Sequence, residues 1–443
     1  MRELFRNVRA FTREGIRKID VMLDGGKLFT SFTGQPEITT DLDGLYMFPG
    51  FADVHVHFRE PGFSYKETIK TGTYAAARGG YTAVCTMPNL KPTPSTLANL
   101  QQEIDIINRD AVIHVYPVGA ITMNQSGRGE LSDIEGIAPY VCAFSDDGKG
   151  IQDRELMREA MRRTAAAGKF ITAHCEVESE LKAGGCIHDG EYAALHGHVG
   201  INSESEFLEV ARDIELAEEI GCSFHVCHVS TKESVNLIRQ AKNSHNTNHE
   251  SKPNAPKDSS RPHTPRITAE TAPHYLIFTD MDLQESGDWK MNPPIRSAQD
   301  RAELLRGIAD GTIDCIITDH APHSQAEKSR GLDDSAFGVV GLETCFAAMY
   351  THIVREGIIS LERLLEMLCV NPRKIFALPG PQYIEDGCDA DFVIMNLGRK
   401  WRVSPEKFLS MGKSTPFAGM DLQGESVATY VNGQKVYAGE NYA

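Results

Sequence analysis

From Phe51 to Asp319 the chain alternates short apolar runs with amphipathic stretches, and no other feature limits its fold as tightly. The runs fall at 51–57, 81–87, 111–119, 139–144, 169–174, 223–228, 266–272 and 313–319, lengths that suit buried strands. Helical patterns fill most of the gaps, at 65–79, 95–109, 151–167, 203–220, 231–242 and 298–309. Ser203 and Thr231 are predicted N-caps, with Glu206 completing a capping box on Ser203. Eight β–α units in series predict a (β/α)8 TIM barrel over 51–374, with a doubly wound sheet as second choice. Outside that span short strands return, at 16–23, 28–32 and in FVIMN and VATYVNGQKVY. Residues 1–50 and 375–443 are therefore expected to build one small β domain together. Residues 243–265 are almost free of apolar side chains and rich in Asn, Ser, Pro and Lys, which predicts a polar, mobile loop between units six and seven. His245, His249 and His263 within it read as solvated loop residues rather than a metal tract.

Charge and cysteine usage narrow the function classes. A net charge of −16 argues against nucleic acid and against an anionic membrane surface. A small anionic substrate would need local positive charge to overcome that background. No apolar run approaches membrane-spanning length, and MRELFRNVRAFTREG lacks the apolar centre of a secretion signal. Ten cysteines occur without a CxxC pair, so buried free thiols in a reducing cytoplasm are expected.

The chemistry-bearing residues gather where a barrel puts its working groups, at the C-terminal ends of strands. In FADVHVHFREPG, strand alternation turns His55 and His57 to one side, a spacing suited to a borderline metal such as zinc but also met in ordinary histidines. The fourth run ends in Asp146-Asp147, the fifth in His174, the sixth in His228 and the eighth in Asp319. Singly, each reads as a core histidine or a capping aspartate. Jointly, four imidazoles and two carboxylates exceed one tetrahedral ion and suit two ions sharing a bridge. Asp53 is expected to support a ligand or the barrel floor, Glu176 to stand behind a ligand, and His274 to lie near the site without touching metal. His320 should face away, and His196-Gly197-His198 repeats the spacing in what reads as a loop.

These residues sit in motifs that resemble a known family. HVHFREPG (55–62), AARGGYTAVCTMPN (76–89), FSDDGKGIQ (144–152), AHCE (173–176), CHVSTKES (227–234), KMNPPIR (290–296), TDHAPH (318–323), FGVVGLET (337–344) and KSTPFAGM (413–420) are similar to the amidohydrolase superfamily, and within it to the bacterial type I dihydroorotases. The resemblance covers nearly the whole chain, although 243–265 departs from the usual length. It implies two Zn2+ per chain, one held by His55, His57 and Asp319, the other by His174 and His228. Asp147 would bridge them, where hydantoinases and allantoinases use a carboxylated lysine; Lys149 is a rival bridge, and Asp146 is expected to bond backbone instead. The implied reaction is the reversible cyclisation of N-carbamoyl-L-aspartate to (S)-dihydroorotate in pyrimidine (UMP) biosynthesis. Zinc would lower the pKa of a shared water from ~15.7 toward ~7, and Asp319 would carry the proton to the leaving ring nitrogen. Arg59, Asn89 and His323 would clamp the substrate carboxylate, Arg59 because it lies two residues beyond His57 and so points the same way while the strand persists. Asn292 and the Phe337-Gly338 backbone would contact the ring, though Asn292 before Pro293-Pro294 also reads as a turn residue. An allantoinase or hydantoinase is the alternative enzyme, and a non-catalytic dihydroorotase-like structural partner the alternative of another class. A homodimer is allowed as the assembly, and Gly331 and Gly338 are candidate hinges after strand eight.

Overall fold

The computed structural model describes residues 2–250 and 266–439. Parallel strands Phe51–Val56, Tyr81–Thr86 and His114–Pro117 form one sheet; Gly119–Ala120, Phe144–Ser145, Ile171–Ala173, Phe224–Val226, Ile267–Thr271 and Cys315–Ile316 form another. The two are one eight-stranded barrel. His114–Pro117 pairs with the second strand, while its continuation Gly119–Ala120 pairs with the fourth. The eighth strand closes on the first at a Val56–His320 bridge, where the His57 N–H donates to the His320 carbonyl at 2.8 Å. Asp53 fastens the same seam by accepting from the Thr318 N–H at 3.1 Å and its hydroxyl at 2.6 Å. Burial pushes the Asp53 carboxyl up to about 7. Closure of the strands excludes the doubly wound sheet.

Strands one and two are buried along their whole length, because helices cover the face that the barrel interior does not. The covering helices start where a side chain can take an orphan N–H. Thr68 caps Ile69–Gly79, Thr96 caps Leu97–Asp110, Asp153 caps Arg154–Ala166, and Ser297 with Asp300 forms a capping box on Ala298–Asp310. Ile69–Gly79 stops at Gly80, whose φ of 91° is the left-handed conformation glycine adopts without cost. The predicted box on Ser203 does not form: Ser203 makes no side-chain cap bond, and Glu206 accepts instead from the backbone and hydroxyls of Ser230 and Thr231. A buried carboxylate is better satisfied by four donors than by one exposed helix end. Thr231 does accept from the Ser234 N–H. The helix that follows runs Lys232–Glu250, so 243–250 is helical rather than a loop, and the remainder of the predicted loop, 251–265, with His263, lies outside the described residues.

Strands from both chain ends share a nine-stranded sheet, in which Tyr46–Pro49 joins the N-terminal strands to Phe392–Arg402. Phe5, Val8, Val21, Leu28, Phe392 and Tyr430 form its separate core. Its strand Glu3–Thr12 is hidden in the sequence by a bulge. Asn7 takes a φ of 59° and the register slips between Phe5 and Val8, so apolar residues three apart point to one side and the two-residue period is lost. Among the described residues no helix is long and apolar enough to cross a membrane.

Candidate active site

His55 ends the first strand one turn of the pleat before its last residue, and His57 lies just past it. Each imidazole is aimed by a bond on its far nitrogen. His55 Nδ1 donates to Glu270 Oε1 at 2.7 Å, and His57 Nδ1 donates to Asn89 Oδ1 at 2.7 Å, which leaves both Nε2 lone pairs facing the barrel axis. There they meet two carboxylates. Asp319 Oδ1 is 3.1 Å from His57 Nε2 and 3.7 Å from His55 Nε2; Asp147 is 3.2 Å from His55 Nε2 and 3.5 Å from His57 Nε2. From the other side, His228 Nε2 lies 3.3 Å from Asp147 and 3.0 Å from His174 Nδ1, and His174 Nδ1 is 3.9 Å from Asp147. All six side chains sequence reasoning assigned to metal thus converge, with Asp147 between the two histidine pairs.

The donor set fits a borderline cation. His55 Nε2, His174 Nε2 and His228 Nδ1 are buried without a well-formed hydrogen bond, which is costly for polar atoms unless something else satisfies them. Two overlapping ligand groups can be drawn, His55 with His57 and Asp319, and His55 with Asp147 and His228. Imidazole with carboxylate suits zinc and its first-row neighbours. Lys149 is exposed and Asp147 buried, so the aspartate is the group placed to bridge. Asp146 turns away and accepts from the N–H groups of Ile121, Thr122 and Gly127, with burial pushing its carboxyl up to about 6.

Glu270 is not among the residues the sequence marks out. It is fully buried and takes His55 on one oxygen and His225 Nε2 on the other at 3.1 Å; burial opposes its charge, but the two imidazoles hold its carboxyl down to about 2. The signal was a glutamate inside the apolar run RITAETA, with no cap or turn to explain it. Three site residues also stand in the left-handed region, Arg59 at φ 61°, His228 at 28° and Asp319 at 46°. Side chains there cost about 1–3 kcal/mol each, and the closed barrel supplies the constraint that holds them.

Beside the ligands opens a cleft of about 640 Å³ lined by Arg59, Phe63, Lys66, Asn89 and Gln125. Arg59 reaches it through its left-handed backbone, since the strand has ended at Val56 and simple alternation no longer applies. Its guanidinium donates to the Pro322 carbonyl at 3.3 Å and, among the described residues, forms no ion pair; burial lowers it to about 10, so it stays charged at neutral pH. His323 lies 3.3 Å from that guanidinium. Its Nε2–H donates to the Phe337 carbonyl at 2.8 Å and its Nδ1 accepts from Lys66 at 3.1 Å, while burial and the surrounding cations hold it down to about 3, a neutral ring. Lys66 was not foreseen. Asn89 uses both ends of its amide, on His57 and on the Asp147 carbonyl at 2.7 Å, so it buttresses two residues of the cluster while also lining the cleft. Asn292 donates to Glu176 at 2.8 Å, and Glu176 stands 3.7 Å behind His174. The Gly338 N–H donates to the Lys290 carbonyl at 3.0 Å and its carbonyl accepts from Lys328 at 2.7 Å, which fixes the Phe337-Gly338 backbone within the loop. His274 is buried nearby with Nε2 unpartnered, and His320 faces Glu67 at 3.5 Å, away from the cluster.

The family model described as Dihydro-orotase-like matches residues 44–234. A protein of Fusobacterium nucleatum named dihydroorotase is 43% identical over 439 residues, covering 98% of each chain. One of Bacillus thuringiensis with the same name is 41% identical over 447 residues, covering 100% of this chain and 99% of the other. Among solved structures, the L-hydantoinase of Arthrobacter aurescens is similar at a TM-score of 0.84 and 25% identity, covering 100% of this chain and 97% of that one. Identity at this level, sustained from one end of the chain to the other, means that the chain belongs to the dihydroorotase family.

Proposed function

We propose that this protein interconverts N-carbamoyl-L-aspartate and (S)-dihydroorotate, a step of pyrimidine synthesis, with two zinc ions held by His55, His57, Asp147, His174, His228 and Asp319. The observation that carries the substrate assignment is Arg59, a half-buried guanidinium that makes no ion pair among the described residues and lines the cleft beside the ligand cluster. A substrate carboxylate is the group that satisfies it, in a bidentate geometry that lysine could not offer. The neutral, doubly bonded His323 would then stand beside the carboxylate as a wall of that pocket rather than a second cation.

Bound in the cluster, the zinc ions would supply a hydroxide at neutral pH and polarise the amide carbonyl. The protein's own part is proton traffic and aim. Asp319, held at 3.1 Å from His57, takes a proton from the attacking water and gives it to the leaving ring nitrogen; in ring closure it accepts the proton of the ureido nitrogen. Glu270 and Asn89 fix the tautomers of His55 and His57, so both keep the lone pair that a cation needs. Free thiols throughout, all but Cys142 and Cys388 buried, support a cytoplasmic setting.

The likeness to a hydantoinase keeps a second reading open to test. Asp147 in the buried position, with the nearby Lys149 exposed, speaks for the dihydroorotase. Zinc-loaded protein offered dihydroorotate, hydantoin and allantoin separates the two. Turnover of dihydroorotate above the others by at least about tenfold, the lower order of what a charge-assisted contact is worth (about 1.5–3 kcal/mol), is the expected result. Preference for hydantoin overturns the assignment.

A further inference from the structure

We propose that Cys186, His198 and Asp333 form a peripheral binding site for one borderline divalent cation such as zinc, on residues separate from the central cluster. The fold brings them together from distant places. A short parallel ribbon pairs Ile187–His188 with Gly200–Ile201, in the register Ile187 to Gly200, so the residues just before each strand are neighbours. The Cys186 N–H donates to the Val199 carbonyl at 3.0 Å, which sets Cys186 beside the turn carrying His198. Asp333 arrives from Gly331–Asp334, in the loop after strand eight.

The geometry is that of a ligand set. Cys186 Sγ lies 3.3 Å from Asp333 Oδ1, His198 Nδ1 lies 2.8 Å from the same oxygen, and the three donor atoms are all within 4.8 Å of one another. Ligand edges of a tetrahedral zinc site are about 3.3–3.6 Å, from bonds of ~2.0–2.3 Å. Closing on an ion therefore takes sub-ångström shifts. Independently, His198 has the outer support that metal-bound histidines have: its Nε2 is 3.1 Å from Glu285, which also accepts from the Tyr192 hydroxyl at 2.8 Å. Cys186 is fully buried while the Asp333 side chain is 63% exposed, so one side of the site is walled and the other open for an ion to enter, with water as fourth ligand. Binding replaces the proton between sulfur and carboxylate, which leaves to solvent as the sulfur takes the ion. The ion would pin the loop after strand eight to the ribbon formed by Ile187–His188 and Gly200–Ile201. Lys290, whose Nζ donates to the Asp333 carbonyl at 2.6 Å and lies 4.4 Å over the Phe337 ring, already links Asp333 to Phe337 further along the same loop.

The test uses the full chain with its central site filled with zinc, then titrated with cobalt(II). One further equivalent of cobalt is expected to bind with a thiolate-to-cobalt charge-transfer band in the near ultraviolet, a signal that imidazole and carboxylate alone do not give. Cys186→Ser should abolish the band, whereas Cys227→Ser, which removes the thiol beside His55, should leave it. Because Cys186 is buried, Asp333→Asn at an exposed side chain gives a second route and His198→Ala a third, and each should weaken the cobalt affinity by about tenfold or more. No band in the parent, a band that survives Cys186→Ser, or unchanged affinity in both other variants overturns the proposal.

Discussion

Replacing Glu270 by glutamine keeps the shape of the site and removes one charge, which makes it the sharpest probe of how the metal ligands are aimed. Glu270 accepts from His55 Nδ1 at 2.7 Å and faces His225 Nε2 at 3.1 Å, in a fully buried position. The amide oxygen can still accept from His55, so the bond survives as a neutral one. A charge-assisted hydrogen bond is worth about 1.5–3 kcal/mol against about 0.5–1.5 for a neutral one, a difference of about 1–1.5 kcal/mol. Converted to binding, that is a loss of about five- to tenfold in zinc affinity, at the low end of what outer-shell partners contribute elsewhere. Glu270→Ala should do more, since it leaves two buried imidazoles without an acceptor, at about 1–3 kcal/mol each. The assay is competition for zinc against a chelator of known affinity, with the melting temperature of each variant measured metal-loaded and metal-free. The expected order is parent, Gln, Ala, with the Gln deficit confined to the loaded state. Zinc affinity in Glu270→Gln within twofold of the parent would refute the idea that the carboxylate charge is what polarises His55.

Asp319→Ala is expected to lower kcat by about 10²–10⁴-fold, the usual contribution of a positioned proton carrier, while retaining much of the zinc; turnover within tenfold of the parent removes Asp319 from that role. Arg59→Met should raise KM for dihydroorotate by about tenfold or more while leaving zinc content unchanged, as expected for loss of a desolvated charge-assisted contact, and an unchanged KM would place the carboxylate elsewhere. Away from the site, Glu103 is 1% exposed and burial pushes its carboxyl from 4.5 up to about 8, with the Thr86 hydroxyl at 2.8 Å opposing. Between those values the folded chain keeps a proton that the unfolded chain has lost, so this group's contribution to stability falls as pH rises through that window and is gone above it. Glu103→Gln does not titrate, and its stability relative to the parent should grow by a few kcal/mol between pH ~4.5 and ~8; a constant difference across that range would refute the buried, protonated carboxyl.

The barrel could be read from the chain because it repeats one local pattern, and every strand was found where an apolar run stood. The ends were less legible. The run 139–144 became only Phe144–Ser145, because Ala138–Tyr140 turns as a 3-10 helix, and 313–319 became only Cys315–Ile316, which follows bends at 312–313. Where local pattern and tertiary need conflict, tertiary need decides: Glu206 leaves its own helix start to serve Ser230 and Thr231, and Glu3–Thr12 hides its alternation behind the bulge at Asn7.

The site divides in the same way, and the division has a physical cause. Residues at strand ends are legible because a strand fixes direction with a two-residue period, so His55 on its strand and His174 directly after Ile171–Ala173 could be placed without coordinates, whereas His228 lies two residues past Phe224–Val226 with a left-handed backbone. Arg59 and Asp319 could be named, yet the reason offered for Arg59 fails, because neither it nor Asp319 lies on a strand and both have turned left-handed. What orients them is the barrel seam itself: Asp53 on Thr318, His57 on the His320 carbonyl, and the Pro322 carbonyl on Arg59. Those three contacts tie strand one to the segment after strand eight, residues more than 260 positions apart. Arg59 and Asp319, two of the three left-handed site residues, therefore sit on either side of the one junction where the barrel must close, and the closure that excludes an open sheet also holds them in conformations their local sequence would not choose.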